Sequence, residues 1–211
     1  MALLLVISAI IICFSDSGTI SSIVKFTNKA LTQEKTAKEN RLTRALLFKF
    51  VQSPNRNNYL TIRKIVIELD TYRPYSNELD TAGELYEQAK LKQAQETIGN
   101  AIHNLILSPR AHHFLSFLHY ELGDVNAAEL EMTIGQACIK GILSSGDGSE
   151  EHPYIVVRTS DEHDVIEHMG KQIKQQAIVP RGDKYLDLIE CTDNSKYWFD
   201  ITDAHNRLFS Q

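Results

Sequence analysis

Apolar residues in the middle of the chain recur with the 3.6-residue period of a helix, in pairs of segments. Ala82, Leu85, Tyr86 and Ala89 stand at i, i+3, i+4 and i+7, which puts one apolar stripe on a helix. Lys90-Leu91-Lys92 turns the chain, and Ala94, Ile98, Ala101, Ile102 and Leu105 carry a return helix that Ser108-Pro109 stops. A second pair opens with Leu115, Leu118 and Leu122, turns at Gly123-Asp124 and returns along Ala127, Leu130, Ile134 and Cys138. The pairs echo one another from position 85 to position 119, a spacing of 34. Leu85-Tyr86-Glu87-Gln88-Ala89 is answered by His119-Tyr120-Glu121-Leu122-Gly123, and Ala94, Ile98 and Ala101 by Ala128, Met132 and Gly135. That period is the mark of a helix-turn-helix unit that stacks on copies of itself. Ala94 and Ala128 allow two helices a close approach, and Gly123 suits the left-handed residue that ends many helices.

Upstream, Leu42, Ala45, Leu46, Lys49 and Phe50 approximate one helical face, ended by Ser53-Pro54-Asn55. Tyr59, Ile62, Ile65, Val66 and Leu69 keep the helical spacing, while the β-branched run Ile65-Val66-Ile67 leaves a strand as the alternative. Beyond Ser144 the pattern changes. A polar loop through Ser149 leads to a strand at Tyr154–Arg158 and a short helix at Asp161–His168. Ser160 stands at its N-cap, with Asp161, Glu162 and Asp164 as favourable first-turn acids. Ala177–Val179, Tyr185–Cys191 and Tyr197–Ile201 read as three strands joined by polar turns, an antiparallel meander. Tyr197, Phe199 and Ile201 share one face of the last strand, and Trp198, opposite, is expected to cover the junction of sheet and helices.

The phrase Glu121–Glu129, with its spacing, resembles tetratricopeptide repeats over two units, roughly Asn77 to Gly141. The family's tryptophan is absent, and Ala89 replaces the turn glycine of the first unit. The expected fold is α+β: residues 18–143 as a tetratricopeptide-like helical stack, then residues 144–211 as a small antiparallel sheet with one helix. The tail resembles something more particular. Ser145–Ser149, Ser160–Gly170, Gln175 or Gln176, Tyr197–Ile201, and Tyr72–Tyr75 further upstream are similar to an exported bacterial family, domain-of-unknown-function family 4919. The resemblance implies export and this architecture; it implies no activity.

Charge sharpens the division. Residues 18–143 hold 15 Lys and Arg against 13 Asp and Glu, whereas residues 144–211 hold 7 against 13. No basic block or nucleic-acid motif occurs, so a nucleic-acid partner is not expected. Ala2–Phe14 is apolar except for Ser8, followed by small polar residues. Residues 1–17 are therefore expected to be a signal peptide or an uncleaved membrane anchor, the only membrane contact, and the protein to be periplasmic or extracellular. Cys138 and Cys191 remain, either as one disulfide or as two buried thiols.

Candidate chemistry is sparse. No GxSxG elbow and no phosphate-binding glycine loop is present, and no cofactor is expected. His163, Asp200, Asp203 and His205 carry the imidazole and carboxylate groups that hold a divalent ion and activate water, without a recognised ligand spacing. Three functions stand side by side: a protein- or peptide-binding module, a metal-dependent hydrolase on that tail set, and a structural envelope module. Binding would use the concave face of the first helices, through Glu84, Gln88, His112, Ser116 and Tyr120.

Overall fold

A computed structural model of the chain describes residues 37–209; the expected signal or anchor segment and the start of the helical region lie outside them. Helix α1 (Ala37–Gln52) leads through Ser53-Pro54 to α2 (Arg56–Glu68), whose N-cap Asn55 accepts a hydrogen bond from the Asn58 N–H. The β-branched run of α2 is helical because Tyr59, Ile62 and Val66 lie buried along one stripe, and that burial outweighs the local preference for strand.

Two antiparallel helix pairs follow, α3 (Glu78–Glu87) with α4 (Leu91–Leu105) and α5 (Pro109–Glu121) with α6 (Val125–Leu143). Pro109 opens α5, at the position where a missing N–H costs no helix bond. The two turns use the same hydrogen bonds 34 positions apart. Lys90 N–H donates to Leu85 O and Asp124 N–H to His119 O; Ala89 N–H donates to Tyr86 O and Gly123 N–H to Tyr120 O. Gly123 has φ 81°, and Ala89 is held at φ 57° in the glycine's place. That strains an L-residue by roughly 1 kcal/mol or more.

The tail forms a four-stranded sheet in the order β1-β4-β3-β2, built from β1 (Tyr154–Ile155), β2 (Ile173–Arg181), β3 (Lys184–Cys191) and β4 (Lys196–Asp200). The last three make the expected antiparallel meander. β1, however, pairs parallel to β4, so the sheet is mixed. The expected strand at Tyr154–Arg158 pairs at only two residues because side chains take its carbonyls. The Tyr59 hydroxyl donates to Ile155 O at 2.8 Å, Arg63 to Val156 O at 2.9 and 3.1 Å, and the Tyr72 hydroxyl to Val157 O at 2.6 Å. Helix α7 (Ser160–His168) lies before β2, and a second tail helix, α8 (Thr202–Phe209), was not expected. Asp200 starts α8 by accepting from the Thr202 N–H at 3.1 Å and hydroxyl at 2.6 Å.

The larger apolar core joins Leu47 and Phe50 of α1, Tyr59, Ile62 and Val66 of α2, Ile134, Cys138 and Ile142 of α6, Val165 and Ile166 of α7, and Ile189, Cys191 and Phe199 of the sheet. It therefore contains residues from both sides of Ser144. A second core lies within α3, α4 and α5, around Ala82, Ile98, Ile102, Leu115 and Leu118. Cys138 and Cys191 are free and buried in the larger core. Phe199 fills that core, whereas Trp198 lies on the opposite face, with the Arg181 guanidinium 5.6 Å from its ring centre rather than at the helix junction. Among the described residues, no helix is long and apolar enough to cross a membrane.

Candidate functional site

The first turn of α7 departs most from its expected surface role. Asp161 and Glu162 are both 0% exposed. The helix turns them inward because Val165 and Ile166, four residues further on, are core residues on the same faces. Asp161 accepts from the Arg158 N–H through Oδ2 at 2.9 Å, while its Oδ1 has no partner. Burial, then the neighbouring charge of Asp164, pushes the Asp161 carboxyl up to about 7, with Arg158 opposing. Arg158 is otherwise committed: it donates to Arg73 O, Ser76 O and the Ser76 hydroxyl at 2.9 to 3.2 Å. Asn104 holds the same loop, accepting from the Arg73 N–H and donating to Arg73 O and the Ser76 hydroxyl.

Glu162 meets two strands. The side-chain amide of Gln176, on β2, donates to Glu162 Oε2 at 3.1 Å and to Asp187 Oδ2, on β3, at 2.6 Å. Its carbonyl faces His163 Nε2 at 2.9 Å, so this imidazole nitrogen donates. Glu162 Oε1 and Asp187 Oδ1 are each buried without a hydrogen-bond partner. Burial first, then the charge and hydrogen bond of Asp187, raise the Glu162 carboxyl well above its ordinary range. Tyr75 stands within electrostatic reach: burial, Glu162 and Asp187 all raise its phenol. The segment Tyr72–Tyr75, the start of α7 and Gln176, far apart in sequence, thus share one neighbourhood.

A second feature lies on the helix pairs. Tyr86 of α3 packs edge-to-face on Phe114 and Phe117 of α5, with ring centres 6.1 and 5.3 Å apart. Tyr86 is 39%, Phe117 38% and Tyr120, on the next turn, 65% exposed. Phe114 also lines an open cleft of about 500 Å³ together with Arg110, His113, Ile139 of α6, and Asp164, Glu167 and His168 of α7. One wall is the Arg110–Asp164 ion pair at 2.7 Å. Burial lowers the half-buried His113, which packs against Gly135, where an added Cβ would stand 2.5 Å from its ring.

The four candidate metal ligands are not brought together. His163 bonds Gln176, Asp200 binds Thr202 and lies 3.2 Å from Lys184, Asp203 pairs with Arg63 at 2.7 Å, and His205 stacks on Tyr185 at 3.5 Å. Each has a separate local partner, and no group of three potential ligands occurs among the described residues. Of the expected partner-binding residues, Glu84, Gln88 and Tyr120 are exposed, with Gln88 accepting from Lys90 at 2.7 Å. His112 and Ser116 are buried against α6: His112 Nδ1 lies 2.6 Å from Glu131 Oε2 and Nε2 3.0 Å from Ile106 O, and the Ser116 hydroxyl donates to Ala128 O. Two signals escaped sequence reasoning. Asp187 stands in phase with Ile189 and Cys191, an acid on the apolar side of its strand. Phe114 and Phe117 each precede a core leucine by one position, on the flank of the α5 stripe.

The family described as Domain of unknown function (DUF4919) matches residues 67–208 of the chain. No curated protein and no solved structure matches it.

Proposed function

This chain belongs to the DUF4919 family, and from its own geometry we propose that it is a peptide-binding module, engaging a segment of another protein along the α3–α5 face and into the cleft beside α7. The supporting observation is continuity: Phe114 belongs both to the exposed aromatic cluster with Tyr86 and Phe117 and to the lining of the cleft. Exposed aromatic clusters of this kind favour association, since Tyr and Phe bring large apolar area at little cost in side-chain entropy. Both helices are the first of their pairs, the side on which a stack of helix pairs presents its concave face. Glu87, Glu121 and Glu167 are exposed beside Tyr86, Tyr120 and the cleft, while the charge of Asp164 is met by Arg110. The partner segment should therefore combine an aromatic or aliphatic anchor with a Lys or Arg.

Selection of a displayed random-peptide library on the folded protein tests this. Enriched peptides should share an apolar anchor near a basic residue and lose about tenfold or more in affinity to Phe117→Ser or Tyr86→Ser. Those variants should stay folded with only a modest drop in melting temperature, because both rings are partly exposed. No enrichment, or enrichment indifferent to both substitutions, removes the reading.

A further inference from the structure

Glu162 and Asp187 are 0% and 2% exposed and share one amide donor, Gln176. Two adjacent carboxylates in that position cannot both remain charged, because water does not reach them and one NH2 group cannot satisfy four acceptor oxygens. The groups around them do not supply the missing charge. On α7 the neighbour is Asp161, a third carboxyl, and the charges acting on Glu162 are those of Asp187 and Asp161. From the loop before α3 comes the neutral hydroxyl of Tyr75, and from β2 the uncharged Gln176. His163 reaches the pair only through the Gln176 carbonyl. A proton shared in the hydrogen bond between the two carboxyls leaves the pair a single negative charge.

We propose that Glu162 and Asp187 form a proton-operated clasp, in which one shared proton seats helix α7 on strands β2 and β3 and its release at alkaline pH loosens that seat. Gln176 is the part of the clasp on β2, the edge strand of the sheet, and is itself exposed like every residue of that strand but Val179. Asp164, Glu167 and His168 of the same helix line the cleft, so release would also change the cleft, an extension that rests on the peptide-binding reading.

Amide hydrogen exchange on the full chain, corrected for intrinsic chemical rates between about pH 6 and 9, tests the clasp without any peptide. Protection of α7 and β2 should fall with rising pH about tenfold or more further in the wild type than in Glu162→Gln, which keeps a permanent uncharged donor in place of the shared proton and retains only the fall due to Asp161. A pH-independent wild type, or an equal fall in the variant, overturns the proposal. Should Glu162→Gln fail to fold, Asp187→Asn takes its place, and carboxyl carbon NMR on the wild type reads the proton directly. A second buried carboxyl besides Asp161 staying protonated above about pH 6 supports the clasp, and ordinary titration of every carboxyl but Asp161 refutes it. Loss of peptide binding alone, with the exchange result intact, would count against the cleft and not against the clasp.

Discussion

Asp161 makes the protein's stability fall with rising pH, contrary to the usual behaviour of a folded-state carboxylate. Its carboxyl is pushed from 3.8 to about 7 in the folded protein, at 0% exposure. Between those two values the folded state holds a proton that the unfolded chain has released, so the free energy of unfolding decreases as pH rises through the window and levels off above it. Each pKa unit corresponds to about 1.4 kcal/mol, so from about pH 5 to 8 this one group removes roughly 2.5 kcal/mol. Asp161→Asn keeps an acceptor for the Arg158 N–H and cannot ionise. Urea unfolding of wild type and variant at both pH values, followed by circular dichroism, gives the difference. The wild type should lose about 2 to 3 kcal/mol more than the variant across that interval. Equal losses in the two proteins, or a wild type that gains stability towards pH 8, would refute the reasoning.

Three further substitutions test the packing. Ala89→Gly should raise stability by about 1 kcal/mol in thermal unfolding, because it relieves the left-handed alanine where the second turn already has Gly123. Glu131→Ala should cost about 3–5 kcal/mol in urea unfolding, since it strands a buried His112 whose Nδ1 lies 2.6 Å from the Glu131 carboxylate. Gly141→Ala should cost about 1–3 kcal/mol in the same assay, because its Cβ would stand 2.7 Å from the rings of Phe50 and Tyr59 where α6 meets α1 and α2; an unchanged midpoint would show that α1 yields.

The helix pairs were legible because a repeat shows its period twice: Leu85 and Ala94 fix the first pair, and Leu118 and Ala128 the second. The three antiparallel strands were legible from alternation and from turns such as Pro180–Asp183. What escaped was set by partners distant in sequence. The run Ile65-Val66-Ile67 is helical only because Ile62 and Val66 have a core to enter. Tyr154–Arg158 has the composition of a strand, yet the donors for its carbonyls belong to α2 and the loop after it. Glu162 reads as an acid at a helix start; its burial follows from Asp187 and Gln176, which local sequence does not connect to it. His163 reaches the periphery of the cluster, while Asp200, Asp203 and His205 look like ligands on the page and are ordinary partners of Thr202, Arg63 and Tyr185 in space.

The carbonyls of Ile155, Val156 and Val157 accept from side chains that precede them by 96, 93 and 85 residues. A ribosome therefore completes α2, with Tyr59, Arg63 and the nearby Tyr72, long before the groups that satisfy these donors leave the exit tunnel. Until then the first helices carry polar tips destined for an apolar interior and have nothing to bond there but water. Helix α2 cannot reach its final burial during that interval, so the early part of the nascent chain must wait for the late part instead of folding ahead of it.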